Sequence, residues 1–338
     1  MSPRLPAEWE PQRAVIITWP HGTGDWGPTL AAVEASYDVL ATAIARHEPL
    51  VVACADTRHE AHIRRRLADH GAALENIHFH TVTTTDTWVR DYGPLTVHTP
   101  DGPALLDFIF DGWNGRFEAT LDDAATATLH ARGALGPLPL HRRRVILEGG
   151  ALDTDGEGLL LTTPRCLLGR RNGLDRAGYE ALFEEELGVS RVLWLEHGAL
   201  AGDDTDGHVD MLARFCPGGV IAHTAPAPAG DPDAAALEAM AGELAALVDS
   251  TPRLKGLVPL PRPAPRRDAD GDFLPASYAN FLVINGAVLM PEYDDPADGA
   301  AREAITGCFP GRTVVGIPAI ALIEQHGSVH CATMHLPA

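Results

Sequence analysis

Residues 207–224 read GHVDMLARFCPGGVIAHT: a polar opening, an apolar strand, a glycine turn and a second apolar strand. The same construction occurs in residues 88–110, WVRDYGPLTVHTPDGPALLDFIF, in 145–163, VILEGGALDTDGEGLLLTT, and in 277–293, SYANFLVINGAVLMPEY. The polar openings sit near Asp91, Glu148, His208 and Asn280. His330-Cys331, in HGSVHCATMHLP at 326–337, is the next term, so the steps run to roughly 50–70 residues, as in repeat folds. A unit of this size cannot bury its own faces and must stack on its neighbours. Each unit is predicted to be strand–strand–helix–strand. Five of them would close into a ring in which equivalent positions meet near the axis. The expected architecture is therefore a closed ring of five α/β units. Its fifth unit draws strands from both ends of the chain, which gives RAVIITWP (13–20) a place.

Helical periods fall between the hairpins. Leu30, Val33, Tyr37, Leu40 and Ile44 keep one face. Thr57 and Glu60 form a capping box ahead of Ile63 and Leu67. Asp231-Pro232 predicts a helix start before Leu237, Met240, Leu244 and Val248. With 338 residues and 45% hydrophobic content, the chain can bury a large core. It has no run of 18 apolar residues, so no membrane span is expected. The start, MSPRLPAEWEPQ, lacks the apolar stretch of a secretion signal. Cys54, Cys166, Cys216, Cys308 and Cys331 are odd in number, widely spread and free of CxxC pairs. They predict a reducing cytoplasmic setting, neither a disulfide framework nor a cysteine zinc site. A formal charge of −20 disfavours nucleic acid and anionic membranes and favours cationic ligands.

If the polar openings converge, they bring together a thiol, a histidine and several carboxylates. Cys331 becomes a nucleophile when its neighbours hold it as thiolate, or when it is deprotonated as a cationic substrate binds. His208 titrates near working pH and can give a proton to a leaving amine and later take one from water. Glu148 would orient that imidazole. Asp91 and Asp210 remain as two carboxylates, and a planar guanidinium offers the paired N–H donors that match them. The set suits attack on a guanidinium carbon. Taken singly, the same motifs have plainer readings: RDYGP and EGG as turns, GHVD as a metal-binding pair on a strand. DDTDG and DTDGEG fail the register of a calcium loop and read as turn formers. Cys54, Cys166, Cys216 and Cys308 lie in apolar runs or at turns and read as structural.

Several long stretches resemble the agmatine deiminase and bacterial peptidylarginine deiminase group of the pentein superfamily. They are LPAEWEPQRAVIITWP (5–20), DTWVRDYGPLTV (86–97), LEGGALDTDGEGLLLTTPRCLL (147–168) followed by Arg171-Asn172, and DDTDGHVDMLARF (203–215). The likeness continues in LPASYANFLVINGAVLMP (274–291) and in VVGIPAIALI (314–323) leading to GSVHC (327–331). The resemblance implies a five-fold pseudosymmetric α/β propeller in a single domain, residues 1–338, in keeping with the ring, with Cys331 as nucleophile, His208 as general acid and base, and Asp91 and Asp210 as the guanidinium grip. It places Glu148 beside the histidine and Asn280 near the site. It implies hydrolysis of agmatine to N-carbamoylputrescine and ammonia in putrescine biosynthesis, through a cysteine thiouronium, with no metal and no organic cofactor. A deiminase of peptidyl arginine or of another guanidine is the alternative, and a homodimer is left open.

Three segments depart from the family pattern. Gln325-His326-Gly327 replaces a triple glycine before the cysteine, Ala332-Thr333-Met334-His335 replaces Ile-Thr-Gln-Gln after it, and 111–116, DGWNGR, replaces Phe-Asn-Ala-Trp-Gly-Gly. Trp113 is predicted to stack on the substrate or to pack in the core. Arg116 is predicted to meet a substrate carboxylate or to lie solvated.

Overall fold

Each hairpin of the repeat forms, and each pairs onward with a parallel strand. In the computed structural model, which describes residues 3–227 and 230–338, Leu95–Thr99 runs antiparallel to Gly102–Ile109, which runs parallel to Leu140–Ile146. Asp153–Thr154, Leu159–Thr162 and Arg191–Trp194 repeat that order. Ala213–Cys216, Val220–Thr224 and Gly256–Leu260 do so again, as do Leu282–Ile284, Ala287–Glu292 and Thr313–Pro318. A parallel pair cannot be joined by a tight turn, so each unit crosses over through a helix. These helices are Ala125–Ala131, Arg176–Leu187, Ala234–Ser250 and Asp298–Cys308.

The fifth sheet is assembled from both ends of the chain. Thr333–Pro337 pairs antiparallel with Gln12–Thr18, which lies parallel to Leu50–Cys54 across the helix Leu30–Ala45. It carries one strand more than the repeat predicts, Ile77–Thr81, reached through the helix Thr57–Asp69. The predicted helical faces are buried: Val33, Tyr37, Leu40 and Ile44 in one helix, and Leu237, Met240 and Leu244 in another, while Val248 is only half-buried. Each such side chain contributes about 1.5–3 kcal/mol of burial. Two helix starts differ from expectation. Asp56, not Thr57, caps the helix by accepting from the His59 N–H at 2.7 Å, because its extended backbone points the carboxylate along the axis. The later helix begins at Ala234, since Asp231 closes a turn on the Asp233 N–H instead. Among the described residues no helix is long and apolar enough to cross a membrane.

All five polar openings stand just before the first strand of their sheet. Asp91 lies in the helical turn Val89–Tyr92, Glu148 caps the 3-10 turn Gly149–Ala151, and His208 caps Val209–Met211. Asn280 precedes Leu282–Ile284, and Cys331 precedes Thr333–Pro337. GHVD is thus a 3-10 turn and not the strand that a side-by-side metal pair requires.

Candidate active site

The openings meet in the interior. Asn280 grips the cysteine segment. Its side-chain oxygen accepts the His330 and Cys331 backbone N–H groups at 2.9 and 3.3 Å, and its Nδ2 donates to Cys331 Sγ at 3.2 Å. Cys331 Sγ also lies 3.7 Å from Asp210 Oδ2. Burial, together with the Asp210 and Asp91 carboxylates, pushes the thiol well above its ordinary value, more than Asn280 lowers it. At neutral pH the free site therefore holds a thiol.

His208 is buried, and neither ring nitrogen has a hydrogen-bond partner. Its Nδ1 faces Asp91 Oδ1 at 3.6 Å. Burial alone would discourage a charged ring. Asp91, Cys166 and Glu148 outweigh it and raise the imidazole well above its usual range, so it stands ready as an acid. Asp91 accepts from the Gly150 N–H and from Trp113 Nε1, both at 3.0 Å, and burial still lifts its pKa to about 6. The glycine of EGG has a steric reason. A Cβ on Gly150 would stand 2.6 Å from His208 Nδ1, 2.8 Å from Asp91 Oδ1 and 3.1 Å from Asp210 Oδ2.

Trp113 sits at φ 53°, ψ 63°, a left-handed conformation that a bulky residue rarely adopts. The flanking Gly112 and Gly115, and the Asp111 carboxylate accepting the Asn114 N–H at 2.9 Å, hold it there with its indole on Asp91. Strain of this kind persists only where surrounding contacts fix it, and it clusters at working sites.

Glu148 is fully buried, and Arg170 occupies it at 2.8 Å; that guanidinium also reaches Asp206 at 2.8 Å and the Thr205 carbonyl at 2.9 Å. Glu148 therefore stands near His208 without hydrogen-bonding it. Glu148, Cys166 and His208 offer donor atoms within 4.8 Å of one another. A metal ion there would have to share Glu148 with Arg170. Cys166, read as structural, is buried with its thiol within 4.8 Å of a His208 ring nitrogen.

A cavity of about 290 Å³ opens outward from Cys331, His208 and Asp91. Trp113, Trp88 and Phe117 form aromatic wall, and Asp25, Asp86, Asp204 and Glu324 bring further carboxylates. Burial and the neighbouring acids Asp122, Asp25 and Asp204 raise Asp86 to about 7. Arg116 is not in this lining. Its side chain is 42% exposed and pairs with Asp206 and the Asp204 carbonyl, a largely solvated position. Sequence reasoning gave no site role to Glu8, Arg170 and Asp86, and it read Cys166 as structural and Asp204 as a turn former. For the two aspartates the signal was present in their place within the DTWVRD and DDTDGH motifs.

Repeated hairpin-and-crossover sheets that converge on a thiol, an imidazole and paired carboxylates define the class: an α/β chain built around a buried Cys–His–carboxylate cluster. The chain belongs to the Porphyromonas-type peptidyl-arginine deiminase family, whose model matches residues 4–337. It is similar to the agmatine deiminase of Stutzerimonas stutzeri, 32% identical over 99% of this chain and 95% of that one. Among solved structures it resembles an agmatine deiminase of C. jejuni, a Cys-to-Ser variant with substrate bound, at TM-score 0.91 and 29% identity over 99% and 96% of the two chains. It also resembles a Porphyromonas gingivalis chain described as a candidate arginine deiminase, at TM-score 0.90 and 43% identity over 99% and 98%.

Proposed function

We propose that this chain is an agmatine deiminase, a single catalytic domain whose five sheets close as a pseudosymmetric propeller around the site. One observation carries the choice of substrate: the cavity holds carboxylates at both depths, Asp91 within and Asp25, Asp86, Asp204 and Glu324 further along, and neither Lys nor Arg lines it. Agmatine has a guanidinium at one end and an ammonium at the other. Arginine and a C-terminal peptidyl arginine carry a carboxylate that would meet these acids, with Arg116 already engaged.

In this reading Asp91 and Asp210 hold the guanidinium with its carbon facing Cys331, a positioning role that removes several kcal/mol of barrier. The arriving cation offsets the carboxylate field that keeps Cys331 protonated, and the thiol releases its proton to solvent. Thiolate adds to the guanidinium carbon while Asn280 Nδ2 faces the sulfur. Protonated His208 gives its proton to the departing amine, ammonia leaves, and an S-alkylthiouronium remains. Neutral His208 then takes a proton from water as the hydroxyl adds to that carbon. Collapse breaks the C–S bond as the hydroxyl proton passes to solvent, yielding the ureido product and the free thiolate, with His208 again protonated. Glu148, held by Arg170, contributes negative charge beside the imidazole. The product would be N-carbamoylputrescine, on the way to putrescine.

A panel of agmatine, arginine and arginine-terminated peptides, assayed for both ammonia and ureido product, tests the reading. Agmatine is expected to show the highest kcat/KM. A preference for arginine or a peptide would overturn it.

A further inference from the structure

Beneath the cysteine lies a second charged layer that the chemistry above does not use. His330 is buried, and both of its ring nitrogens face carboxylates: Nδ1 lies 2.7 Å from Asp210 Oδ2, and Nε2 lies 2.8 Å from Glu8 Oε2. A nitrogen lacking its hydrogen would turn a lone pair onto an oxygen lone pair, so the geometry fits a ring with both hydrogens. Glu8 is held in turn by the Val283 N–H at 2.7 Å and by Arg214 at 3.0 Å, while Arg214 also binds Asp153 at 3.1 Å. Arg90 lies 3.6 Å from Glu8 and donates to His335 Nδ1 at 3.2 Å. Burial and the surrounding cations keep His335 neutral, its pKa near 3, despite Glu8. The layer thus sets Glu8, Asp153 and Asp210 around Arg90, Arg214 and His330.

We propose that His330, clamped between Asp210 and Glu8, is a positioning residue that keeps Asp210 ionised and aims it at the substrate's guanidinium. Asp210 Oδ2 is spent on His330, whereas Oδ1 is buried without any partner. That is the arrangement of a carboxylate with one oxygen anchored and the other reserved. Asp210 is faced by Asp91, Cys331, His208, Arg214 and His330. Asp91 and a thiolate would oppose its charge, and among the described residues His330 is the only basic side chain within ion-pair distance of it. Glu8 stabilises the second hydrogen of the ring and so acts on Asp210 from a distance. The proposal rests on the reading of Asp210 as part of the guanidinium grip.

The test compares the full-length enzyme with His330→Gln and Glu8→Gln. Loss of the imidazolium should raise KM for agmatine about ten-fold, with a smaller change in kcat. Glu8→Gln should act in the same direction but less. In wild-type protein, ¹⁵N imidazole resonances of His330, assigned by their absence from His330→Gln, should show both nitrogens protonated at pH 7.5. A neutral ring in that spectrum overturns the proposal, and so do variants whose KM for agmatine matches wild type while only the melting temperature falls. If Asp210→Asn leaves kcat/KM unchanged, the grip assigned to Asp210 has failed. The ¹⁵N spectrum then still decides the protonation of His330, because it needs no turnover.

Discussion

Asn280 fixes Cys331 twice: its amide oxygen takes the backbone N–H and its amide nitrogen points at the sulfur from 3.2 Å. Backbone clamp and thiolate partner are therefore one side chain. Asn280→Ala should lower kcat about ten- to hundred-fold, a loss typical of removing one donor from a developing charge. Asn280→Asp should be worse at neutral pH and recover least, since it adds a third carboxylate beside the sulfur. Steady-state rates of the two variants against pH check both statements.

Cys331→Ser should abolish turnover with the fold retained. Because burial and the two carboxylates push the thiol upward, iodoacetamide should alkylate Cys331 slowly at pH 7 and faster as pH rises past 9. Fast alkylation at pH 7, followed by mass spectrometry, would show that the free enzyme already holds thiolate.

Asp91→Asn and Asp210→Asn each remove one charge-assisted partner of a guanidinium, worth about 1.5–3 kcal/mol. Each should cost roughly ten- to hundred-fold or more in kcat/KM by the same conversion. Wild-type kcat/KM should fall below about pH 6 as Asp91 takes up a proton. Values within about two-fold of wild type for every guanidine tested would remove the cation grip.

Gly150→Ala places a methyl where His208, Asp91 and Asp210 converge. Displacement of reacting groups by about 1 Å can cost a hundred-fold, and a loss of that order is expected here. Circular dichroism should show the fold intact.

Asp86 separates stability from activity. Its carboxyl is raised to about 7 in the folded chain, so its contribution to stability is greatest below its unfolded value and is lost as pH rises through 7. Asp86→Asn should therefore melt higher than wild type at pH 8 and converge with it near pH 4, while binding agmatine less well. A lower melting temperature at pH 8 would contradict this.

The repeat was legible because its hairpins turn on glycines and because its polar openings break strong apolar runs at matching places. Asp91, His208, Asp210 and Cys331 could be nominated together for that reason, and Asn280 entered with them. Glu8 could not. It sits alone in LPAEW, and its partners lie far along the chain, Arg214 in the strand Ala213–Cys216 and His330 in the turn before Thr333–Pro337, so only the closed fold makes it a buried acid with cations around it. That Cys166 lies near His208 was equally illegible, because an apolar run hides the short helical turn, capped by Thr163, that carries it there. Arg116 was read from its charge as a substrate contact or a solvated residue, and it lies exposed against the acidic loop at Asp204–Asp206.

The pairing of Thr333–Pro337 with Gln12–Thr18 also sets a timetable. Contacts between strands so far apart in sequence close slowly, because most of the chain must be looped first. During synthesis the segment bearing Glu8 emerges early and waits, its edge unpaired, until the segment bearing Cys331 leaves the ribosome. Until this pairing closes, the Asn280–Cys331 contact and the Asp210–His330–Glu8 line are not assembled. Catalytic competence therefore arrives with closure of the two ends, because the assembled site and not the bare thiol carries the chemistry.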